Sequence, residues 1–248
     1  GQVVVNTTRQ FDWGIDNLRD TEFIIQNIEG FNTDYFTFND ISFPHTILPY
    51  TNDVITIDFI PTETQDDINL ELFVTSPNLV GSEEVSLQVY ASAVTGYTVF
   101  EYSVISTDLI LDSSSPYLVN NDVTVESGVT LTINQGVEIL FDGKYSLIVD
   151  GTLNAQGTAQ DSIKFSGFIQ SEGISSDPWS GIVINDNTDN SIISYAIIQN
   201  ARSDYGGGIS IIDCSPTIEH TTIRDNEADE LGGGIYMVNS GSTLNNVV

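Results

Sequence analysis

Residues 225–230 read Asp225-Asn226-Glu227-Ala228-Asp229-Glu230, with carboxylates at 225, 227, 229 and 230 in a loop ahead of Gly232. Hard cations such as calcium take several carboxylate and amide oxygens from one flexible loop. This run is therefore a candidate calcium site. A second candidate is Asp186-Asn187-Thr188-Asp189-Asn190, in which Asp186 and Asp189 supply the charge. Neither run has the glycine that an EF-type loop places at its sixth position, so solvated acidic turns are the competing reading. Tyr205 and Tyr236 border the runs Gly206-Gly207-Gly208 and Gly232-Gly233-Gly234. Amphipathic rings beside such corners are candidates for stacking on a ligand such as a glycan, and core or rim packing explains them equally well.

Other chemistry-bearing residues are scarce. Cys214, the one cysteine, sits in Ile211-Ile212-Asp213-Cys214. A reactive thiol wants a basic neighbourhood, so Cys214 reads as a small buried residue. His45 and His220 lie far apart, and without a second histidine or a cysteine nearby neither has the partners of a zinc site. The chain holds 35 acidic and 6 basic residues, a formal net charge of −29. Nucleic acids and anionic membranes are bound by Lys and Arg that neutralise phosphate, so this balance argues against both. Cations, positively charged partners and neutral glycans remain compatible, and so does a purely solubilising role for the charge. No apolar run is long enough to span a bilayer.

The elements that must position these residues repeat. Gly206-Gly207-Gly208-Ile209 returns as Gly232-Gly233-Gly234-Ile235, Asp213 maps onto Asn239, and Pro216-Thr217-Ile218 maps onto Ser242-Thr243-Leu244. A fixed period in this range marks a solenoid, whose coils bury their apolar faces against one another. From residue 107 onward, short Val, Ile and Thr bursts alternate with Gly and Asn corners, and no amphipathic helix intervenes. Residues 1–105 differ. Ile55-Ile57-Phe59, Leu70-Leu72-Val74 and Val85-Leu87-Val89 alternate with polar residues between turn signals such as Pro49, Pro61 and Pro77-Asn78, the pattern of a β-sandwich.

Both halves carry resemblances. The run from Ser127 to Phe165, with Gly151-Thr152-Leu153-Asn154-Ala155 and Ile163-Lys164-Phe165, then Trp179-Ser180-Gly181-Ile182 and the triglycine coils, resembles right-handed β-helix proteins of the pectin-lyase-like superfamily. Phe11-Asp12-Trp13-Gly14, Phe23-Ile24-Ile25-Gln26-Asn27, Phe59-Ile60-Pro61-Thr62 and Val85-Ser86-Leu87-Gln88-Val89 resemble immunoglobulin-like domains of the ASH type, which serve as spacers in bacterial surface proteins. The expected fold is all-β: an immunoglobulin-like β-sandwich over 1–105, then a right-handed parallel β-helix over 106–248. Coils of about 22–26 residues make about six rungs, stacked about 4.8 Å apart. Residues 108–119, or the sandwich itself, are expected to cover the upstream end. The second triglycine coil breaks off at Val248, so the chain is expected to be a piece of a longer protein with an open β-helix end.

The β-helix resemblance also implies an enzyme to test for. Hydrolases of that superfamily use clustered aspartates with downstream Gly-His-Gly and Arg-Ile-Lys elements. Here Asn187-Thr188-Asp189 matches the first motif superficially, with no later Asp-Asp pair, no Gly-His-Gly and no Arg-x-Lys. Lyases pair calcium with an Arg or Lys base. The β-helix offers Lys144, Lys164, Arg202 and Arg224; Arg202 and Arg224 lie near equivalent points of successive coils and could stack, but a basic pair on an acidic wall is usually engaged in salt bridges. The sequence thus favours a non-catalytic extracellular or cell-surface protein acting in adhesion, surface structure or glycan binding. Its partners would be glycans, other surface proteins or itself through the open end. The alternatives are a polysaccharide lyase or glycoside hydrolase with active coils partly missing, and a subunit of an extracellular filament or surface layer.

Overall fold

Residues that alternate between apolar and polar, in bursts too short for a helix, can bury one side only by stacking on their own repeats. The computed structural model describes residues 2–29, 35–39, 41–75, 85–112, 116–168, 178–185 and 190–248; for residues 2, 27–29, 65–75 and 85–93 it describes the backbone alone. Candidate ligands Asp186 and Asp189 lie outside the described residues. The chain divides into two units, Gly1–Thr95 and Gly96–Val248.

The second unit is a parallel β-solenoid with three six-stranded faces. The first face stacks Thr98–Val99, Tyr117–Val119, Glu138–Phe141, Ile163–Gly167, Ala196–Gln199 and Thr222–Arg224. The second stacks Val104–Ile105, Val123–Val125, Leu147–Val149, Ile182–Ile184, Ile209–Ile212 and Ile235–Val238. The third stacks Leu109–Leu111, Thr130–Ile133, Thr152–Gln156, Ile192–Ser194, Thr217–Glu219 and Thr243–Asn245. Inward residues meet in register: Val125, Val149, Ile184 and Ile211 form one fully buried column of the second face. Burying each such side chain contributes about 1.5–3 kcal/mol relative to exposure.

Solenoid strands begin before residue 106, because Thr98–Val99 and Val104–Ile105 already pair with the next rung. Residues 108–119 therefore do not cap the upstream end. Leu109–Leu111 and Tyr117–Val119 are strands of the first two rungs, and Phe100, 4% exposed, has Tyr102 and Tyr117 packed edge-on against its ring. The expected coil length holds for most rungs and fails for one. Thr130 and Asp108 are linked across 22 residues and Asn239 and Asp213 across 26, whereas Asn185 and Asp150 are 35 apart. Ile182 pairs with Ile209, which aligns Gly181 with Gly208.

Single residues turn the chain between faces. Tyr195, His220 and Asn246 take positive φ at successive exits from the third face, and Asp213 and Asn239 do so at exits from the second. This conformation is uncommon for a bulky residue such as Tyr. It is held by stacking: the Tyr195 and His220 rings lie 4.6 Å apart and 9° from parallel.

The first unit is built from small sheets. Arg9–Asp16, Asn52–Phe59 and Phe36–Asn39 form an antiparallel sheet, and Phe23–Ile25 pairs with His45–Ile47. Gln65–Thr75 lies antiparallel between Asn27–Glu29 and Val85–Val94, with Gln2–Val4 parallel to the latter. Ile55, Ile57 and Phe59 point inward as their alternation predicts, joined by Val3, Ile25, Phe36 and Ile47. Buried Asn17 ties this unit together, its Nδ2 donating to the carbonyls of Thr21, Ile47 and Leu48.

Candidate functional site

The corner between the first and second faces changes in the last two rungs. There the chain inserts an extra strand, Arg202–Tyr205, which pairs in parallel with Glu227–Leu231. The triglycine runs follow these strands, and their backbones stack closely. Gly206 N donates to Leu231 O at 3.0 Å, Gly207 N to Gly232 O at 3.1 Å, and Ile209 N to Gly234 O at 2.9 Å. A β-carbon on Gly207 would lie 2.2 Å from Glu227 O and 2.5 Å from Gly233 O, so only glycine permits this approach.

This corner brings the two candidate tyrosines together. Tyr205 ends the extra strand of one rung, and Tyr236 is the second residue of the second-face strand of the next. Their ring centroids are 5.1 Å apart at an interplanar angle of 41°. Tyr205 pairs in register with Leu231, and both are exposed, at 46% and 58%. The result is an apolar patch on the outside of the solenoid, not a buried packing cluster.

Two of the carboxylates of 225–230 pair with a base of the preceding rung. Arg202 Nη2 lies 2.5 Å and Nε 2.9 Å from Asp229 Oδ1, and Nη1 lies 3.6 Å from Glu227. The hydrogen bond to Asp229, then the charges of Asp229 and Glu227, raise the Arg202 pKa above its ordinary value. Asp225 faces its neighbour Arg224 at 3.8 Å. Among the described residues no three His, Cys, Asp or Glu side chains are grouped to hold a metal ion. Arg202 and Arg224 do not stack. Arg202 pairs with Glu227 and Arg224 with Gln199, because Arg202 lies beyond the corner and Arg224 before it.

Two further residues fix this corner. Asn226 replaces backbone partners of the preceding rung: Ala201 N donates to its Oδ1 and its Nδ2 donates to Ile198 O, both at 2.9 Å. Trp179 is fully buried, stacks on Phe141 at 4.5 Å and donates through Nε1 to Gln199 O. Sequence reading assigned Trp179 no such role. Cys214 is buried as its context suggests, and its Sγ donates to Ile184 O at 3.3 Å.

With the stacked rungs in view, the comparison with known families is decisive: the pectate-lyase-like beta helix domain matches residues 103–248, more than half of the chain. The chain belongs to the pectate-lyase-like β-helix family. A stretch of 60 residues is 40% identical to Protein bark beetle of Drosophila melanogaster; it covers 24% of this chain and 2% of that protein. The chain thus spans a small fraction of this curated relative.

Within this pectate-lyase-like solenoid, charge is segregated. The strands of the three faces hold two carboxylates, Glu138 and Glu219, so most of its acidity sits at corners and on the extra strand pair. Glu138 is matched by Lys164, directly opposite in register at 2.5 Å. No helix is long and apolar enough to cross a membrane among the described residues.

Proposed function

We propose that this pectate-lyase-like β-helix is a non-catalytic binding scaffold, displayed outside the cell, that serves adhesion or surface structure through carbohydrate or protein contacts. Its first unit would act as an immunoglobulin-like spacer. The observation that carries the reading is how the solenoid uses its bases. Lys164 is held by Glu138, Arg202 by Asp229 and Glu227, and Arg224 faces Asp225, while Lys144 also has an interaction of its own. A lyase needs a base free to reach the substrate proton, and a hydrolase needs two carboxylates facing one bond.

The test is to incubate the chain with homogalacturonan, alginate and neutral glycans, with and without calcium, while a parallel array measures binding. Binding without release of unsaturated or reducing ends is the expected outcome. Release of either kind of end overturns the proposal, and so does failure to bind any glycan or cell-surface extract.

A further inference from the structure

We propose that the patch formed by Tyr205, Leu231 and Tyr236 docks a cationic segment of a partner protein, an extended stretch that carries Arg or Lys among apolar residues. Two features support this occupant, and they are independent. One is the patch itself: two tyrosine rings 5.1 Å apart, with Leu231 in register beside Tyr205 and more than half exposed. Aromatic faces attract cations through their quadrupole, and Arg stacks on them most readily.

The other is the charge of the strands that present the rings. Arg202–Tyr205 and Glu227–Leu231 together hold Asp204, Glu227, Asp229 and Glu230 against the single base Arg202. Arg202 is consumed by Asp229 and Glu227. Asp204 and Glu230, the immediate neighbours of Tyr205 and Leu231, have no basic partner among the described residues and can meet a cation from outside. The Arg202 guanidinium is an internal example of what this surface holds: it lies across two carboxylates of the next rung, with a raised pKa. The strands of the three faces, with Glu138 already paired to Lys164, offer less such complementarity, and an anionic partner would be repelled.

Binding of a dodecapeptide of alternating Arg and Leu is measured by fluorescence anisotropy, against a Glu and Leu control peptide and cellohexaose. The chain is tested as wild type, Tyr205→Ala/Tyr236→Ala, Tyr205→Phe/Tyr236→Phe, Asp204→Asn/Glu230→Gln and Glu219→Gln, the last a carboxylate on the third face. Retained folding is checked by the buried Trp179 fluorescence. The expected result is an Arg peptide affinity that falls about fivefold or more in the double alanine variant. It is kept by the phenylalanine pair and by Glu219→Gln, falls in Asp204→Asn/Glu230→Gln, and weakens as salt rises. Equal losses at Glu219 and at the patch would show diffuse attraction to an acidic protein and overturn the proposal. So would preferential, tyrosine-dependent binding of cellohexaose, or no loss in the alanine variant. None of these outcomes bears on whether the chain is catalytic.

Discussion

Substituting Gly207 with alanine separates the packing of the triglycine corner from everything else the repeat does. The added β-carbon would meet Glu227 O at 2.2 Å and Gly233 O at 2.5 Å, whereas ordinary contact begins near 3.4 Å. Both obstacles are backbone on the next rung, so no side chain can turn aside. Relief requires the two rungs to part by about 1 Å, which takes hydrogen bonds of 2.9–3.1 Å past the length at which they count. Four are at stake, donated by Gly206, Gly207, Gly208 and Ile209. At about 0.5–1.5 kcal/mol each, their loss costs about 2–6 kcal/mol, or about 10 °C in the unfolding midpoint of a unit this size. Gly233→Ala is the matched control, since its β-carbon meets nothing nearer than Asn226 O at 3.2 Å in this chain. Neither position has positive φ, so backbone strain does not confound the pair. Thermal unfolding followed by Trp179 fluorescence in a Trp13→Phe background reads the solenoid alone. The reasoning fails if the two variants shift the midpoint equally, or if Gly207→Ala costs less than about 1 kcal/mol.

Three further outcomes are expected. Asn226→Asp keeps the acceptor for Ala201 N but sets a carboxylate oxygen against Ile198 O, and should destabilise the solenoid by about 2–3 kcal/mol in urea unfolding. Asp53 accepts hydrogen bonds from His45 at 2.6 Å and from Val54 N, which together hold its pKa below the ordinary carboxylate value. Its contribution is therefore present above about pH 4 and lost as pH falls through the lowered folded value. Because the pair is partly exposed, Asp53→Asn should cost the first unit less than about 1 kcal/mol at neutral pH, with the gap to wild type closing on acidification. EDTA should leave the solenoid midpoint unchanged, since Arg202 already engages two of the four carboxylates of 225–230. A clear drop on chelation would contradict this and direct attention to Asp186 and Asp189.

Architecture was the more legible part. Val, Ile and Thr bursts with glycine and asparagine between them carry the solenoid, because each three-residue strand records which residues face inward. The pairing of Asp213 with Asn239, at 2.7 Å, was readable from the repeat alone. What failed concerned offsets. Arg202 and Arg224 look equivalent along the chain, yet an intervening corner sends one to Glu227 and the other to Gln199. The acidic run alternates because Glu227–Leu231 is a strand, and the chelation experiment decides whether it also holds a cation. The role of Trp179 stayed invisible because its partner is a carbonyl group of neighbouring backbone, which any sequence supplies. The meeting of Tyr205 and Tyr236 needed both the period and the corner between them.

Corners made of one residue have a mechanical consequence. Between Ser194 and Ala196, or Glu219 and Thr221, there is no slack to pay out, so a pull on the chain reaches the next strand at once. Each rung is held chiefly by its immediate neighbours, so such a load would be resisted one rung at a time, not by the whole unit. Extension should then proceed in steps near one coil of contour length. The long coil between Asp150 and Asn185 would stand out as the largest step, a built-in fiducial mark for any single-molecule pulling trace.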